Sequence, residues 1–288
     1  MFSMRAFITT LKQKLYKKQD FIMNMKKIFV IIILIIAMVI ILSTQLYRPK
    51  NIDMIETEDR YDITTEDATY YTNAKGFFAQ PTTQEQVPGV IMIHEWWGLN
   101  ENIKEMAKKL ASQGYKVLAV DLYNGEVATE AKKAQELSSR VRENPDEAIN
   151  NMKAAIAYLK EKQVKNIASL GWCFGGQQSL QITLNDQNID ATIIYYGSLV
   201  TDQEQLKKIN HPILGIFGAE DTSIPIETVR QFENTLNELD IQNEIHIYED
   251  VGHAFANPSG TNYAQKETED AWKKTLEFLE NNLKNTEK

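Results

Sequence analysis

Gly171-Trp172-Cys173-Phe174-Gly175-Gly176 follows the apolar run 167–170 and leads into a stretch with helical spacing. The order G-x-C-x-G is that of a nucleophile elbow with cysteine standing where serine is usual. Such an elbow needs small residues on both sides, because a tight strand-to-helix turn has no room for larger ones. The start of the following helix favours a thiolate and, later, an oxyanion. The same six residues also suit a buried, inert cysteine in a glycine-rich turn. The flanking chain has to discriminate between the two.

Working outward, short β-type runs at 90–93, 117–120, 167–170, 191–195, 213–217 and 244–248 alternate with helix-length segments. The helical segments are 102–113, 146–162, 176–183, 227–239 and 263–283, with apolar residues near every 3.6 positions. This alternation predicts an α/β fold whose mostly parallel central sheet is flanked by helices. Active sites in such sheets form beyond the carboxyl ends of the strands.

Three further post-strand segments carry chemistry. Gly218-Ala219-Glu220-Asp221 follows the run 213–217, and Asp221 is placed to orient a histidine. Val251-Gly252-His253-Ala254-Phe255 follows the run 244–248 and offers His253 as a general base. Taken singly, each could be an ordinary loop residue. Cys173, Asp221 and His253 nevertheless occur in the order nucleophile, acid, base, each after a late strand, as the α/β-hydrolase fold requires. The last segment, His94-Glu95-Trp96-Trp97-Gly98, is no zinc helix, because the fifth position is Gly98 rather than histidine. In a hydrolase this loop supplies the second oxyanion-hole N–H. Glu95 then lies close to the nucleophile.

Composition narrows the class further. The chain has 288 residues, 43% hydrophobic and 24% charged, with 13 Gly and 7 Pro, which excludes a low-complexity or collagen-like protein. A single cysteine precludes an intrachain disulfide and a cysteine-rich zinc site, and four histidines argue against a histidine-rich one. No cofactor is expected. The first 50 residues carry about +8 and the whole chain −8, leaving about −16 on residues 51–288. So acidic a body predicts no nucleic-acid partner.

The N-terminus predicts a membrane partner instead. Residues 28–42 form an unbroken apolar run preceded by Lys26 and Lys27, and extension to Tyr47 reaches about 30 Å of helix. This reads as a single-pass signal anchor over 28–47, with residues 1–27 as a basic cytoplasmic segment and the acidic bulk outside. The alternative is a cleaved signal peptide and a secreted protein, although no Ala-x-Ala site follows the run. Residues 48–66 then form a tether, and 67–288 the folded domain.

With these motifs in hand, the chain resembles the dienelactone hydrolase family of α/β-hydrolases from about residue 70 to 283. The likeness rests on HEWWGLN at 94–100, Asp121-Leu122-Tyr123, Gly171–Gly176, Tyr195-Tyr196-Gly197, Asp221 and Gly252-His253-Ala254-Phe255. The resemblance implies Cys173 as nucleophile, His253 as general base and acid, and Asp221 as its orienter. It implies that Glu95 pairs with the resting thiol until substrate arrives, and that the backbone N–H groups of Trp96 and Phe174 form the oxyanion hole. Trp96, Trp97, Trp172 and Phe255 are expected to line an aromatic substrate pocket. The family's substrate-gripping arginine, four residues after the histidine, is Asn257 here. A second such arginine could be Arg140 or Arg142. The expected activity is therefore hydrolysis of small carboxylic esters or lactones through a thioester, rather than of dienelactones themselves. The alternative is a non-catalytic protein that binds a ligand or partner on the same scaffold. Oligomeric state is left open.

Overall fold

The apolar runs that alternate with helical segments become the centre of one sheet. The computed structural model describes residues 59–72, 74–83 and 85–284. Its strands are β1 (Ile63–Tyr71), β2 (Ala74–Pro81), β3 (Gly89–Ile93), β4 (Lys116–Val120), β5 (Ile167–Trp172), β6 (Ala191–Tyr195), β7 (Ile213–Gly218) and β8 (Asn243–Tyr248). They lie in the order β1-β2-β4-β3-β5-β6-β7-β8. β1 and β2 are antiparallel to their neighbours, while all the pairings from β4 across to β8 are parallel. β3, β5, β6 and β7 are buried along their whole length, which is why each reads as a nearly continuous apolar run.

Period-two alternation divides these side chains between two helical layers. Val90, Met92, Ala168 and Leu170 pack under α1 (Glu101–Ser112) and α7 (Gln265–Leu279), through Ile103, Leu110, Trp272 and Phe278. Ile91, Ile93 and Ile167 face the opposite layer. That layer holds α2 (Ala131–Glu143), α3 (Pro145–Glu161) and α4 (Phe174–Asn185). α6 (Ile226–Glu238) covers the far end of the sheet with Val229, Phe232 and Leu236, after the short α5 (Gln203–Leu206). Asn100 caps α1 by accepting from the Ile103 N–H, and the last turn of α7 runs on into a π-helical turn over Glu280–Lys284.

Several elements differ from the sequence reading. β1 starts at Ile63, so residues 63–66, read as tether, belong to the sheet. β1, β2 and α2 were not anticipated at all. β1 is an edge strand with four successive exposed residues, and its apolar signal is correspondingly faint. α2 shows the core only a narrow stripe of Ala134, Leu137, Ser138 and Val141. Among the described residues no helix is long and apolar enough to cross a membrane. The apolar segment 28–47 lies outside the described residues.

Two glycines of the elbow are required by close approach. A methyl group on Gly175 would drive into the backbone carbonyl of Ile93, and one on Gly171 into that of Gly175. Backbone, unlike a flexible side-chain end, has nowhere to go. Gly175→Ala is therefore expected to destabilise the fold by about 3 kcal/mol or more, measured by urea unfolding. A loss below about 1 kcal/mol would show that β3 and α4 separate easily.

Candidate active site

Cys173 is the single residue between β5 and α4, with φ 54° and ψ −115°. This left-handed backbone is strained for a residue with a Cβ and costs of order 1–3 kcal/mol. The strain is held by the glycine packing beneath it, and it leaves the side chain at the carboxyl edge of the sheet. Cys173 N donates to Tyr195 O at 2.9 Å, which ties the turn to the end of β6.

The residues singled out from sequence converge here. His253 Nε2 lies 3.0 Å from Cys173 Sγ, and His253 Nδ1 lies 2.8 Å from Asp221 Oδ2. The other carboxylate oxygen of Asp221 accepts from the N–H groups of Ser223 (2.7 Å) and Ile224 (3.0 Å). The Asp221 side chain is fully buried, so these three donors fix its orientation. Burial works to push the His253 pKa down. Its hydrogen bonds to Asp221 and Cys173, with the negative charge they bring, outweigh that and raise it to about 10.

Glu95 is only 4% exposed. Burial raises its carboxyl to about 7, against the lowering influences of the His253 charge and a hydrogen bond from Asn257. Asn257 Nδ2 donates to Glu95 Oε2 at 2.6 Å. The thiol–glutamate pairing implied by the family resemblance is not what is seen: Cys173 bonds to His253, and Glu95 to Asn257.

The loop bearing Glu95 is pinned by His94. The Leu122 N–H donates to His94 Nε2 at 3.2 Å, so that nitrogen is the acceptor and Nδ1–H donates to the Glu95 carbonyl at 2.6 Å. Burial holds the His94 pKa at about 4, which keeps this tautomer neutral. Its ring stacks on Phe174 at 5.7 Å. Neither the Trp96 N–H nor the Phe174 N–H donates to another group among the described residues.

The four aromatic residues divide. Trp96 and Trp97 are partly exposed and touch edge to face at 5.0 Å. Trp172 and Phe255 instead belong to the core, against Tyr195 and against Tyr196 and Tyr248 respectively. Trp172 shares the inward face of Ala168 and Leu170, which the strand period dictates. Arg140 is paired with Glu126 at 2.8 Å, and Arg142 reaches the hydroxyls of Ser138 and Ser139. Sequence reasoning gave no role to His94 or Tyr196. The Tyr196 ring packs on His253 at 5.3 Å, and its hydroxyl is buried without a well-formed hydrogen bond. A histidine immediately before Glu95 was the available signal for the first.

Residues 74–283 match the dienelactone hydrolase family. The chain belongs to that family. It is 31% identical over 248 residues to a Saccharolobus solfataricus protein named "Putative carboxymethylenebutenolidase", covering 71% of this chain and 93% of the relative. An Escherichia coli K12 protein of the same name is 28% identical, with 72% and 82% covered. Among solved structures, a dienelactone hydrolase-like promiscuous phosphotriesterase from metagenomic libraries superposes with a TM-score of 0.71 at 21% identity, covering 76% of this chain and 98% of the other. A Klebsiella pneumoniae structure named "Putative Dienelactone Hydrolase" gives 0.67 at 21% identity, covering 75% and 98%. These two likenesses speak for the fold. Family membership makes this chain a hydrolase, of the class that acts on esters and lactones.

The buried Glu95 carries a stability signature. Its folded pKa of about 7 lies above the ordinary carboxylate value, so its contribution is favourable below about pH 4.5 and is lost as pH rises through 7. Glu95→Gln, which can still accept from Asn257, is expected to stabilise the fold at pH 8 by up to about 3 kcal/mol and to change little at pH 4.5. Thermal melts at both values check this, and a pH-independent difference would contradict the assignment.

Proposed function

We propose that this family member cleaves small carboxylic esters or lactones through Cys173 as nucleophile and a thioester acyl-enzyme. The observation that carries this reading is the unbroken chain from Sγ through the His253 imidazole to the buried Asp221 carboxylate, at 3.0 and 2.8 Å. Cys173 Sγ attacks the ester carbonyl carbon while His253 holds the thiol's proton. The oxygen that becomes negative is met by the N–H groups of Trp96 and Phe174, each such donor being worth about 3–4 kcal/mol in the transition state. His253 then protonates the departing alkoxide from Nε2. In the second half, His253 takes a proton from the water that attacks the thioester carbonyl; the C–S bond then breaks, the acid leaves and His253 returns the proton to Sγ. Asp221 holds the ring so that Nε2 faces the reaction throughout.

Substrate preference follows from charge. The net charge of about −16 on residues 51–288 opposes anionic substrates on approach. Asn257 brings no positive charge to the buried Glu95. Uncharged acyl groups are therefore favoured, with Trp96 and Trp97 as the aromatic surface they meet.

The basic and apolar N-terminal sequence supports attachment to a cell membrane, with 28–47 as a single-pass anchor and the hydrolase domain on the outer side. Alkaline carbonate washing should leave the protein in the membrane pellet. Release into the wash, or a soluble chain starting after residue 47, would reject the anchor.

Full-length protein and Cys173→Ala are to be compared on p-nitrophenyl esters of increasing chain length and on simple lactones. Cys173→Ala should lose at least about 10³-fold in kcat/KM, with a thermal midpoint close to wild type. Undiminished turnover in the alanine variant would reject Cys173 as nucleophile.

A further inference from the structure

Asn257 is uncharged, yet its amide is fixed from both sides. Its Oδ1 accepts from the Ser259 N–H at 2.9 Å and from the Ser259 hydroxyl at 2.7 Å. With two donors on the oxygen, the amide orientation is determined, and Nδ2 must point the other way, onto Glu95 Oε2. The backbone holds the same arrangement: Asn257 N donates to Ala254 O, and Gly260 N to Asn257 O, each at 3.0 Å. Asn257 is itself buried, in the turn that follows His253. One short loop thus carries both the imidazole that faces Cys173 and the amide that faces Glu95.

A buried carboxylate seeks donors, because an unsatisfied lone pair away from water costs on the order of 1–3 kcal/mol or more. Asn257 is the only hydrogen-bond donor to the Glu95 carboxylate among the described residues. The titratable groups in electrostatic reach of Glu95 are His253 and Tyr196, and both also interact with Cys173; His94, bonded to the Glu95 carbonyl, is neutral. Without Asn257, the donors left within the site are the Cys173 thiol, the His253 imidazolium and the Tyr196 hydroxyl. Bonding to the thiol would keep its proton in place. Bonding to His253 would pull the ring off Sγ.

We propose that Asn257 is a positioning residue, whose Ser259-locked amide holds the Glu95 carboxylate off Cys173 and leaves the sulfur to His253. This rests on Cys173 being the nucleophile. It adds that the reactivity of Cys173 is set by a neutral amide that touches none of the reacting atoms. A carboxylate tethered in this way does not compete for the sulfur's proton.

The test needs no substrate, because Cys173 is the only cysteine in the chain. Full-length protein is alkylated with iodoacetamide from pH 5.5 to 9, and modification of Cys173 is followed by mass. The wild-type profile should carry an inflection near 7 from Glu95, absent in Glu95→Gln. In Asn257→Ala the inflection should move up by about one pH unit, the size of one lost charge-assisted hydrogen bond, and above it, where Glu95 is ionised, the rate should fall about tenfold. Asn257→Asp, which sets a second carboxylate against Glu95, should move it in the same direction and serves if the alanine variant fails to fold. In the Glu95→Gln background, Asn257→Ala should cause no further loss, since no carboxylate remains to be held. An unchanged profile in Asn257→Ala, or an equal loss with and without Glu95, overturns the positioning role. A wild-type thiol inert across the whole range would instead overturn the nucleophile reading on which it rests.

Discussion

The contact between the Ile93 carbonyl and the bare Cα of Gly175 governs the geometry of everything chemical in this protein. It lets α4 begin directly against the end of β3, with no spacer between layer and sheet. Because the helix starts so close, the chain must reverse within one residue, and Cys173 is left at φ 54°. The same proximity brings the 94–97 loop, which continues β3, alongside the first turn of α4. His94 then stacks on Phe174 and hands its Nδ1–H to the Glu95 carbonyl. The placing of Cys173, of Glu95 and of the two uncommitted N–H groups therefore depends on side chains absent from the elbow.

Around that contact the site sorts its charges by burial and by partner. Asp221 is buried with three donors, and Glu95 is buried with one. The first arrangement fixes the carboxylate against the His253 ring. The second leaves a carboxyl balanced near neutrality, and the domain carries that imbalance as a stability penalty above pH 7. A sequence selected for stability alone would have little reason to keep a glutamate there.

How much of this could be read beforehand depended on which side of a residue mattered. The central strands and Cys173, Asp221 and His253 were legible because burial on both faces writes an apolar run and the loop after it is short. β1 and α2 were not, since an edge strand with four exposed residues and a helix with a thin buried stripe resemble polar linker. Trp172 and Phe255 were read as pocket walls, yet they pack inward. A sequence shows that an aromatic residue sits beside Cys173 but not toward which layer the strand turns it. The Asn257–Glu95 bond joins positions 162 residues apart, so only the folded chain reveals it.

The strand order has a mechanical meaning as well. The chain enters the domain through β1, the outermost strand, while the elbow follows β5. Three strands, β2, β4 and β3, lie between them. Residues just upstream of Ile63 are themselves tied down, Arg60 N and Tyr61 N both donating to Ser112 O at the end of α1. The Tyr70 hydroxyl also staples β1 inward, accepting from Asp121 N at 3.0 Å and donating to Asn151 Oδ1 at 2.7 Å. Edge fraying is the low-energy opening available to such a sheet, and here it would be spent at a margin that holds no chemistry. The reactive corner is thereby kept apart from the margin of the sheet most prone to open.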